Sequence, residues 1–463
     1  MTDSILRERF NRMQQAFRQE PYPSLDHRRD RLNRLLQLLK KHQKEIAEAI
    51  DEDFGQRSTT ETSIVDLYPS IEEIRHTRSQ LRRWMKVRKV SVPLSLKPGR
   101  AKILPQPLGV VGIIVPWNYP IFLLFGPLCN ALAAGNVCMI KPSEFTPAYG
   151  ALMSRLFAEY FSSDEVAIIE GGVDVAEAFS RLPFNHLLFT GSTAVGKKVM
   201  KAAAEHLTPV TLELGGKSPA IVSEHFSLKT AANRLISTKL TNAGQTCIAP
   251  DYVLIPFGQE KAFLTEAKKV AASRYPDWPG KDYCQIIDER QRQRIMDILA
   301  DAEKKGAEVI KLIDAEDSER FVVPRIVFNS HDQMRLMQEE LFAPILPVLS
   351  YRAMIDAIQY INDRPRPLAL YLFSDHEQEQ WQVLQETHAG GVTINDCLVH
   401  CGVSALPFGG IGPSGIGQYH GEAGFNTFSH LKSVFKQSSL SGVPMMYPPY
   451  NGLTRWLVKL LIR

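Results

Sequence analysis

Apolar positions near the start of the chain recur at helical spacing. Leu6, Phe10 and Met13 lie three or four residues apart, and residues 32–39 repeat the pattern, so the first 85 residues are predicted to be amphipathic helices. Gly55 is expected to end the second long helix, because glycine is the usual residue just past a helix C-terminus.

The period then changes to two. Apolar and polar or proline residues alternate from Val90 to Leu96, a turn follows at residues 97–100, and residues 101–104 are again mostly apolar. This pattern predicts a projecting hairpin over residues 88–106. Its prolines suit an edge strand, which could pair with another chain.

Short apolar segments alternate with stretches of helical length between residues 108 and 214. The segments are LGVVGIIV, NVCMI, VAIIE, HLLFT and VTLEL. Continuous apolar strands are typical of a parallel sheet covered on both faces, so the prediction is a doubly wound α/β domain. A second α/β region is predicted over residues 215–400. Ligands of such sheets bind beyond the carboxyl ends of the strands.

Composition excludes several classes of protein. Hydrophobic residues make up 44% of the 463 residues and charged residues 22%, which is typical of multidomain globular proteins rather than disordered ones. The formal charge of +4 gives no argument for nucleic-acid binding. The six cysteines form no CxxC pair, which favours a reducing, cytoplasmic compartment. No signal peptide and no apolar run of the roughly 20 residues that span a bilayer is recognised.

Two glycine-rich loops suggest phosphate binding. The segment Gly191-Ser192-Thr-Ala-Val-Gly196 follows a strand and precedes a helix, but Lys198 stands where a P-loop needs a hydroxyl residue. The helix amides could still hold a diphosphate, or the glycines could simply form a tight turn. The segment 410–415 matches GxGxxG, but it does not directly follow a strand, so we interpret it as a structural or substrate-side loop.

A lysine and a glutamate follow the second strand of the first sheet. A dinucleotide fold commonly has an acid near this point that binds the ribose hydroxyls. Here Lys141 comes first and Glu144 lies three residues further on, so the protein is expected to discriminate only weakly between NAD and NADP. The alternative is a solvated lysine in a turn.

Three residues are candidates for chemistry. Cys247 lies among small and turn-forming residues, which is typical of an accessible thiol, although a buried structural cysteine remains an alternative. Glu213 ends a strand between two leucines, where a raised pKa would suit a general base; a paired structural glutamate is the alternative. Asn118 could stabilise an oxyanion or cap the next helix. The Cys397–Cys401 segment has too few ligands for zinc, so no metal site is predicted.

Six motifs occur in order along the chain: Pro116-Trp-Asn-Tyr-Pro120, Phe189-Thr-Gly-Ser192, Leu212-Glu-Leu-Gly-Gly-Lys217, Gly244-Gln-Thr-Cys247, Glu340-Leu-Phe342 and Pro407-Phe-Gly-Gly410. Together they resemble the motifs of the NAD(P)-dependent aldehyde dehydrogenase superfamily, and the resemblance covers nearly the whole chain. Segments after residue 418 resemble the class 3 branch, which includes fatty and aromatic aldehyde dehydrogenases, and residues 447–457 resemble its coniferyl-aldehyde-dehydrogenase-like group.

The resemblance implies an α/β fold with two Rossmann-like parallel-sheet domains and a small β element for bridging and oligomerisation. The implied divisions are an NAD(P)-binding domain (1–87 and 107–212), a catalytic domain (213–400), a bridging element (88–106 and 421–440) and a C-terminal tail (441–463). It also implies a homodimer through the hairpin. The basic amphipathic tail is expected to pack on the body or a partner subunit, with weak membrane-surface contact as the alternative.

The resemblance also assigns roles. Cys247 becomes the nucleophile, Glu213 the base, and Asn118 with the Cys247 amide the oxyanion site. Two departures from the family pattern are Ala343, where glycine is usual, and Pro413, where small residues are usual. The implied cofactor-binding residues are Pro116, Trp117, Lys141, Glu144, Gly191, Ser192, Gly196, Glu340 and Phe342.

The implied activity is oxidation of an aldehyde to the carboxylic acid with NAD or NADP, through a thiohemiacetal and a thioester on cysteine. The substrate is expected to be aromatic, such as coniferyl aldehyde, or a medium- or long-chain aliphatic aldehyde, as in a fatty aldehyde dehydrogenase. Glu213 favours water over coenzyme A or phosphate as the acceptor of the acyl group. The rival hypotheses are a P-loop NTPase and a non-enzymatic protein of the same fold.

Overall fold

The N-terminal helices begin and end where the sequence supplies caps. In the computed structural model, which describes residues 3–462, Ser24 caps the second helix by accepting a hydrogen bond from the His27 N–H (3.1 Å). His42 divides the second predicted long helix into two, so Gly55, at φ 80°, ends the third helix. The helical prediction is otherwise confirmed. The helices are α1 (Asp3–Gln19), α2 (Leu25–Lys41), α3 (Gln43–Phe54), α4 (Thr59–Thr62), α5 (Tyr68–Trp84), α6 (Phe122–Ala134), α7 (Pro147–Tyr160), α8 (Val173–Ser180), α9 (Thr193–Ala204), α10 (Leu228–Leu240), α11 (Glu260–Arg274), α12 (Glu289–Lys304), α13 (Arg335–Gln338), α14 (Met354–Asn362), α15 (Glu377–Glu386), α16 (Gly421–Thr427) and α17 (Gly452–Leu461).

Within residues 3–462, the strands form three sheets, of six, seven and three strands. The strands are β1 (Arg88–Val90), β2 (Arg100–Pro107), β3 (Val110–Ile114), β4 (Val137–Lys141), β5 (Val166–Ile168), β6 (His186–Thr190), β7 (Val210–Glu213), β8 (Pro219–Val222), β9 (Tyr252–Pro256), β10 (Glu308–Lys311), β11 (Arg325–Phe328), β12 (Ile345–Tyr351), β13 (Ala369–Phe373), β14 (Gly391–Ile394), β15 (Gly415–Ile416) and β16 (Ser429–Lys436).

The six-stranded sheet has the order β15-β7-β6-β3-β4-β5, and its strands are parallel except β15. Every residue of β3, β4 and β6 is buried, as expected for strands covered by helices on both faces. The predicted doubly wound sheet is therefore confirmed. Its strands end at Lys141, Thr190 and Glu213, so the loops that carry the candidate residues share one edge of the sheet.

The seven-stranded sheet has the order β10-β11-β12-β9-β8-β13-β14, and only β10 is antiparallel to its neighbour. The second predicted α/β region is confirmed. The loop that contains Cys247 leaves α10 and leads into β9, a strand in the middle of this sheet.

The three-stranded sheet, β1-β2-β16, contains the predicted hairpin. The expected strand from Val90 to Leu96 is wrong in part, because β1 ends at Val90 and residues 94–96 form a 3₁₀ turn. Pro93 has no N–H to continue a strand ladder, which explains the early end. Residues 421–427, which were expected in the bridging element, form α16 and pack on α5 and α6.

The C-terminal helix α17 leaves its apolar side chains uncovered. Leu453, Trp456 and Leu460 are each more than half exposed, and Thr454 is the buried residue of the helix. The expected packing of this segment on the body of the same chain is therefore wrong for these side chains. Among residues 3–462, no helix has both the length and the apolar character that crossing a bilayer requires.

Candidate active site

The loop before Cys247 has an unusual backbone. Asn242, Ala243 and Gly244 lie consecutively in the left-handed region, at φ 51°, 50° and 75°. This conformation is natural for glycine but costs an alanine or asparagine about 1–2 kcal/mol. Gly244 is further constrained, because an added Cβ would overlap the backbone of Ala343. The loop must therefore be held by interactions elsewhere.

Side-chain amides hold the loop before Cys247 in this conformation. The amide of Asn242 donates to the carbonyls of Asn118 (3.0 Å) and Gln245 (3.1 Å), and its backbone N–H donates to Glu61 (3.0 Å). The Gln245 amide donates to the carbonyls of Asn242 (3.1 Å) and Gln285 (3.0 Å) and accepts from a backbone N–H at residue 287 (2.9 Å). These groups are buried, so water cannot replace the bonds, and the strained turn is fixed in one geometry.

Asn118 connects the first sheet to this loop. It is 3% exposed and donates its side-chain amide to the Gln245 carbonyl (3.1 Å), which leaves a second N–H available. The next helix, α6, has Ile121 at its cap position and no side-chain cap, so the helix-capping alternative for Asn118 is wrong. A second link joins the Tyr119 hydroxyl to the Thr246 hydroxyl (2.7 Å).

Arg57 is a residue that the sequence analysis missed. It is fully buried, donates to the Asn118 carbonyl (2.9 Å), and lies 3.8 Å from Asp66 and 3.9 Å from Glu61. Its guanidinium also lies 5.0 Å from the ring centre of Tyr119. Nothing in the local sequence distinguishes this arginine from surface ones, since its partners lie in other elements.

Cys247 opens into a cavity of about 750 Å³. Most of the lining is apolar, and the side chains of Glu72, Arg75 and His76 on α5 add polar groups. The thiol is half-buried, which removes the alternative of a fully buried structural cysteine. Burial raises the pKa of the Cys247 thiol, and the nearby acidic groups of Glu340, Cys401 and Glu213 raise it further. A base is needed to take up its proton.

Glu213 is at the end of β7 and only 2% exposed. Neither carboxyl oxygen has a hydrogen-bond partner within residues 3–462, so the alternative of a paired structural glutamate is wrong. Burial alone raises the pKa of Glu213 well above its ordinary value. Gly415 of β15 lies opposite Glu213 in the sheet, so the loop at 410–415 supports this strand end. Of the two interpretations, a structural or a substrate-side loop, this contact favours the structural one.

A second cavity, of about 490 Å³, lies at the carboxyl edge of the six-stranded sheet. Lys141 is buried, and its ammonium donates to the Pro142 carbonyl (2.7 Å) and lies 3.6 Å from the Glu144 carboxylate. Burial lowers the pKa of Lys141. The alternative of a solvated lysine is therefore wrong. The predicted cofactor residues that line this cavity are Pro116, Trp117, Lys141, Glu144, Gly191 and Ser192.

The start of α9 forms one wall of this cavity. Ser192 caps the helix, accepting a hydrogen bond from the Val195 N–H (3.4 Å). Gly196 does not line the cavity but packs against Leu214, where a side chain would not fit. The N-terminus of α9 therefore faces this cavity, as diphosphate binding would require, whereas Gly196 allows the helix to pack closely on Leu214.

Glu340 and Phe342 lie on a segment that approaches from the second sheet. Glu340 is half-buried beside Gly215 and Gly216, and desolvation of its carboxyl group, with a contribution from Asp251, raises its pKa to about 8. One of its carboxyl oxygens has no partner in the described chain. Phe342, at φ 50°, packs its ring edge-on against Trp117, with centroids 5.6 Å apart. The two predicted residues therefore reach the first sheet.

Buried charges that the sequence analysis did not identify hold this segment. Lys217 donates to Asp251 (2.6 Å) and to the Glu339 carbonyl (3.0 Å), while Asp251 accepts the Leu341 N–H (2.9 Å). Arg294 donates to the carbonyls of residues 340 and 341 at 3.2 and 2.5 Å. Ala343 stands where the family usually has glycine. The residue is buried and its φ is not positive, so its backbone does not require glycine at this position.

The comparisons with known proteins agree on one family. A family model described as "Aldehyde dehydrogenase family" matches residues 3–434. A "Probable coniferyl aldehyde dehydrogenase" of Pseudomonas aeruginosa is 49% identical over 456 residues, covering 98% of this chain and 96% of that one. A "Coniferyl aldehyde dehydrogenase" of a Pseudomonas species is 42% identical over 460 residues, covering 98% and 95%.

A solved structure gives the same result. A substrate-bound aldehyde dehydrogenase of Staphylococcus aureus, AldH, superimposes with a TM-score of 0.93 at 36% identity, covering 98% of this chain and 99% of that one. The P-loop alternative has no support in these matches.

Proposed function

The chain belongs to the aldehyde dehydrogenase family and oxidises an aldehyde to the carboxylic acid with NAD(P)+, and we propose that Cys247 is its nucleophile and Glu213 its base. One observation carries the assignment: a thiol open to an apolar cavity lies within electrostatic reach of a buried carboxyl group that has no partner among the described residues.

In the first half of the reaction, the sulfur of Cys247 adds to the aldehyde carbon and its proton passes to a base. The carbonyl oxygen then becomes an oxyanion, held by the free N–H of the Asn118 amide and the backbone N–H of Cys247. The hydride acceptor for this carbon would be supplied by NAD(P)+ held in the second cavity. The product is a thioester on Cys247.

In the second half, Glu213 takes a proton from water while the water oxygen attacks the thioester carbon. The carbon–sulfur bond breaks, the carboxylic acid leaves, and Cys247 is regenerated. The two halves need different residues, because the thiol is occupied as the acyl carrier when water must be activated.

The second cavity fits the dinucleotide. Lys141 and Glu144 offer a cation and an acceptor to the adenosine ribose, and the N-terminus of α9 offers backbone amides to the diphosphate. Lys141 would also pair with a 2′-phosphate, so we expect both NAD and NADP to serve. Glu340 would hold the nicotinamide ribose, and the packed rings of Trp117 and Phe342 would flank it.

The substrate is an apolar aldehyde, in keeping with the lining of the larger cavity. Names of two relatives favour an aromatic aldehyde such as coniferyl aldehyde. A medium- or long-chain aliphatic aldehyde is the second candidate, because about 750 Å³ is within the range that holds larger ligands.

We further propose a cytoplasmic homodimer joined through the three-stranded sheet. Val90, Leu431 and Phe435 of this sheet are 40–45% exposed, and β1 and β16 present edges that can pair with another chain. The exposed apolar side chains of α17 would be covered in part by the partner subunit, with weak membrane-surface contact as the alternative.

Cys247→Ala should abolish NADH formation while cofactor binding persists, because the variant loses the atom that attacks the aldehyde but no residue of the second cavity. Turnover is measured by absorbance and cofactor binding by fluorescence titration. Cys138→Ala, which removes a buried cysteine of β4, should keep its activity. Substantial turnover by Cys247→Ala would remove this residue from the nucleophile role.

Glu213→Gln should accumulate an acyl adduct on Cys247 and slow the steady state about 10²- to 10⁴-fold. The first equivalent of NADH should still form. In the unmodified enzyme kcat should rise with pH through a pKa above the ordinary glutamate value, because the base acts ionised and burial raises its pKa. Glu224→Gln, at an exposed site, is the control. Failure to form the first equivalent would place Glu213 earlier in the reaction.

Gly215→Ala should raise the KM for NAD+ about 10- to 100-fold, because the added Cβ overlaps the carboxyl group of Glu340 and displaces it. Initial rates at saturating aldehyde provide the measurement. Gly452→Ala adds a methyl group where nothing lies within 4 Å and should behave as the unmodified enzyme. An unchanged KM would contradict the role of Glu340.

A panel of aldehydes tests the substrate class. Coniferyl aldehyde should have a kcat/KM at least about tenfold above that of octanal or decanal, since its rigid ring buries apolar surface with little loss of conformational freedom. NADH and NADPH formation report the rate for each cofactor. A higher kcat/KM for decanal would favour the aliphatic candidate.

A further inference from the structure

Tyr419 carries a buried hydroxyl group that has no role in the mechanism above. The residue is 1% exposed and lines the same cavity as Cys247, and its hydroxyl has no hydrogen-bond partner among residues 3–462. Buried tyrosine hydroxyls normally find a partner. In this chain Tyr149, Tyr283 and Tyr351 each donate to a backbone carbonyl at 2.8–2.9 Å.

The ring of Tyr419 is held in place. Its backbone pairs with Phe408 through hydrogen bonds of 2.8 and 2.7 Å, and the ring of Phe408 meets it edge-on at 5.8 Å. The ring of His420 packs against it at 4.4 Å. The hydroxyl therefore has little freedom to turn from the cavity toward bulk solvent.

The surroundings make this hydroxyl a neutral donor. Burial raises the pKa of the Tyr419 phenol, and the carboxyl of Glu213 and the thiol of Cys247 raise it further. Tyr419, Glu213 and Cys247 are therefore close enough for the charge of one to affect the others. Two of them, Tyr419 and Glu213, hold oxygens without partners in the described chain. A water molecule that donates to Glu213 and accepts from Tyr419 would satisfy both.

We propose that Tyr419 is a positioning residue for the hydrolytic water, donating its O–H to the water that Glu213 deprotonates. This inference rests on the proposed roles of Cys247 and Glu213. One lone pair of the water accepts the phenol hydrogen bond, one hydrogen is directed to the carboxylate, and the second lone pair attacks the thioester carbon. The phenol loses no proton, so the atoms and charges of the step are unchanged.

Tyr419→Phe removes the oxygen alone. We expect the first equivalent of NADH to form at the unmodified rate, the acyl adduct on Cys247 to persist in intact-mass spectra, and kcat to fall about 10- to 100-fold. The pH dependence of kcat should remain, because Glu213 is intact. Tyr351→Phe removes another buried tyrosine hydroxyl, on the second sheet, and should leave all three readouts unchanged.

Two results would overturn the proposal. An unchanged kcat would show that the hydroxyl does not contribute, and slower formation of the first equivalent would place it in the first half of the reaction. If Tyr419→Phe does not fold, site-specific 3-fluorotyrosine at residue 419 changes the donor strength with the shape nearly kept, and should alter kcat but not the first equivalent. Absence of the acyl adduct in Glu213→Gln as well would instead refute the proposed function.

Discussion

The left-handed turn before Cys247 is the constraint on which the site depends. Its backbone geometry is unfavourable for Asn242 and Ala243, and the bonds that hold it come from both halves of the molecule. Asn118 follows the first sheet, whereas Gln245 belongs to the loop that enters the second, and their hydrogen bond at 3.1 Å joins the two. The orientation of the nucleophile is therefore set by the contact between the two α/β units rather than by either alone.

The second property of this site is that burial favours the uncharged form of its acidic side chains. The pKa values of Cys247, Glu213 and Glu340 are all raised, chiefly because burial disfavours the charged form of each acid, and the carboxyl groups of Glu340 and Glu213 raise that of Cys247 further. In the proposed reaction, a negative charge would form only where fixed dipoles can stabilise it, as the amide of Asn118 would. The charge that passes from sulfur to the carbonyl oxygen would then leave the carbon with the hydride, so no charge would accumulate in the site.

The sequence predicts the sheets and the edge that carries the site, because strands such as β3 and β4 are buried on both faces and so read as continuous apolar runs. Lys141, Glu144 and Ser192 could be proposed as cofactor residues because they lie at or just after the ends of such strands. The sequence does not reveal Arg57, Asp251 and Arg294, whose partners are distant in the chain. The strand predicted over residues 90–96 is wrong in part, because the alternating pattern includes a proline that cannot continue a strand, and residues 94–96 form a 3₁₀ turn.

The same reasoning separates groups that hold the site from groups that react in it. Asn242, Gln245 and Lys217 have partners for their side-chain donors, and their bonds fix loops. Glu213, Glu340 and Tyr419 each have a buried side-chain oxygen that lacks a partner in the described chain. An unpartnered atom alone is not diagnostic, since Trp84 has one in the helical region. What distinguishes Glu213, Glu340 and Tyr419 is that each interacts electrostatically with the thiol of Cys247. Bound substrate, cofactor or water could supply the hydrogen bonds that their oxygens lack.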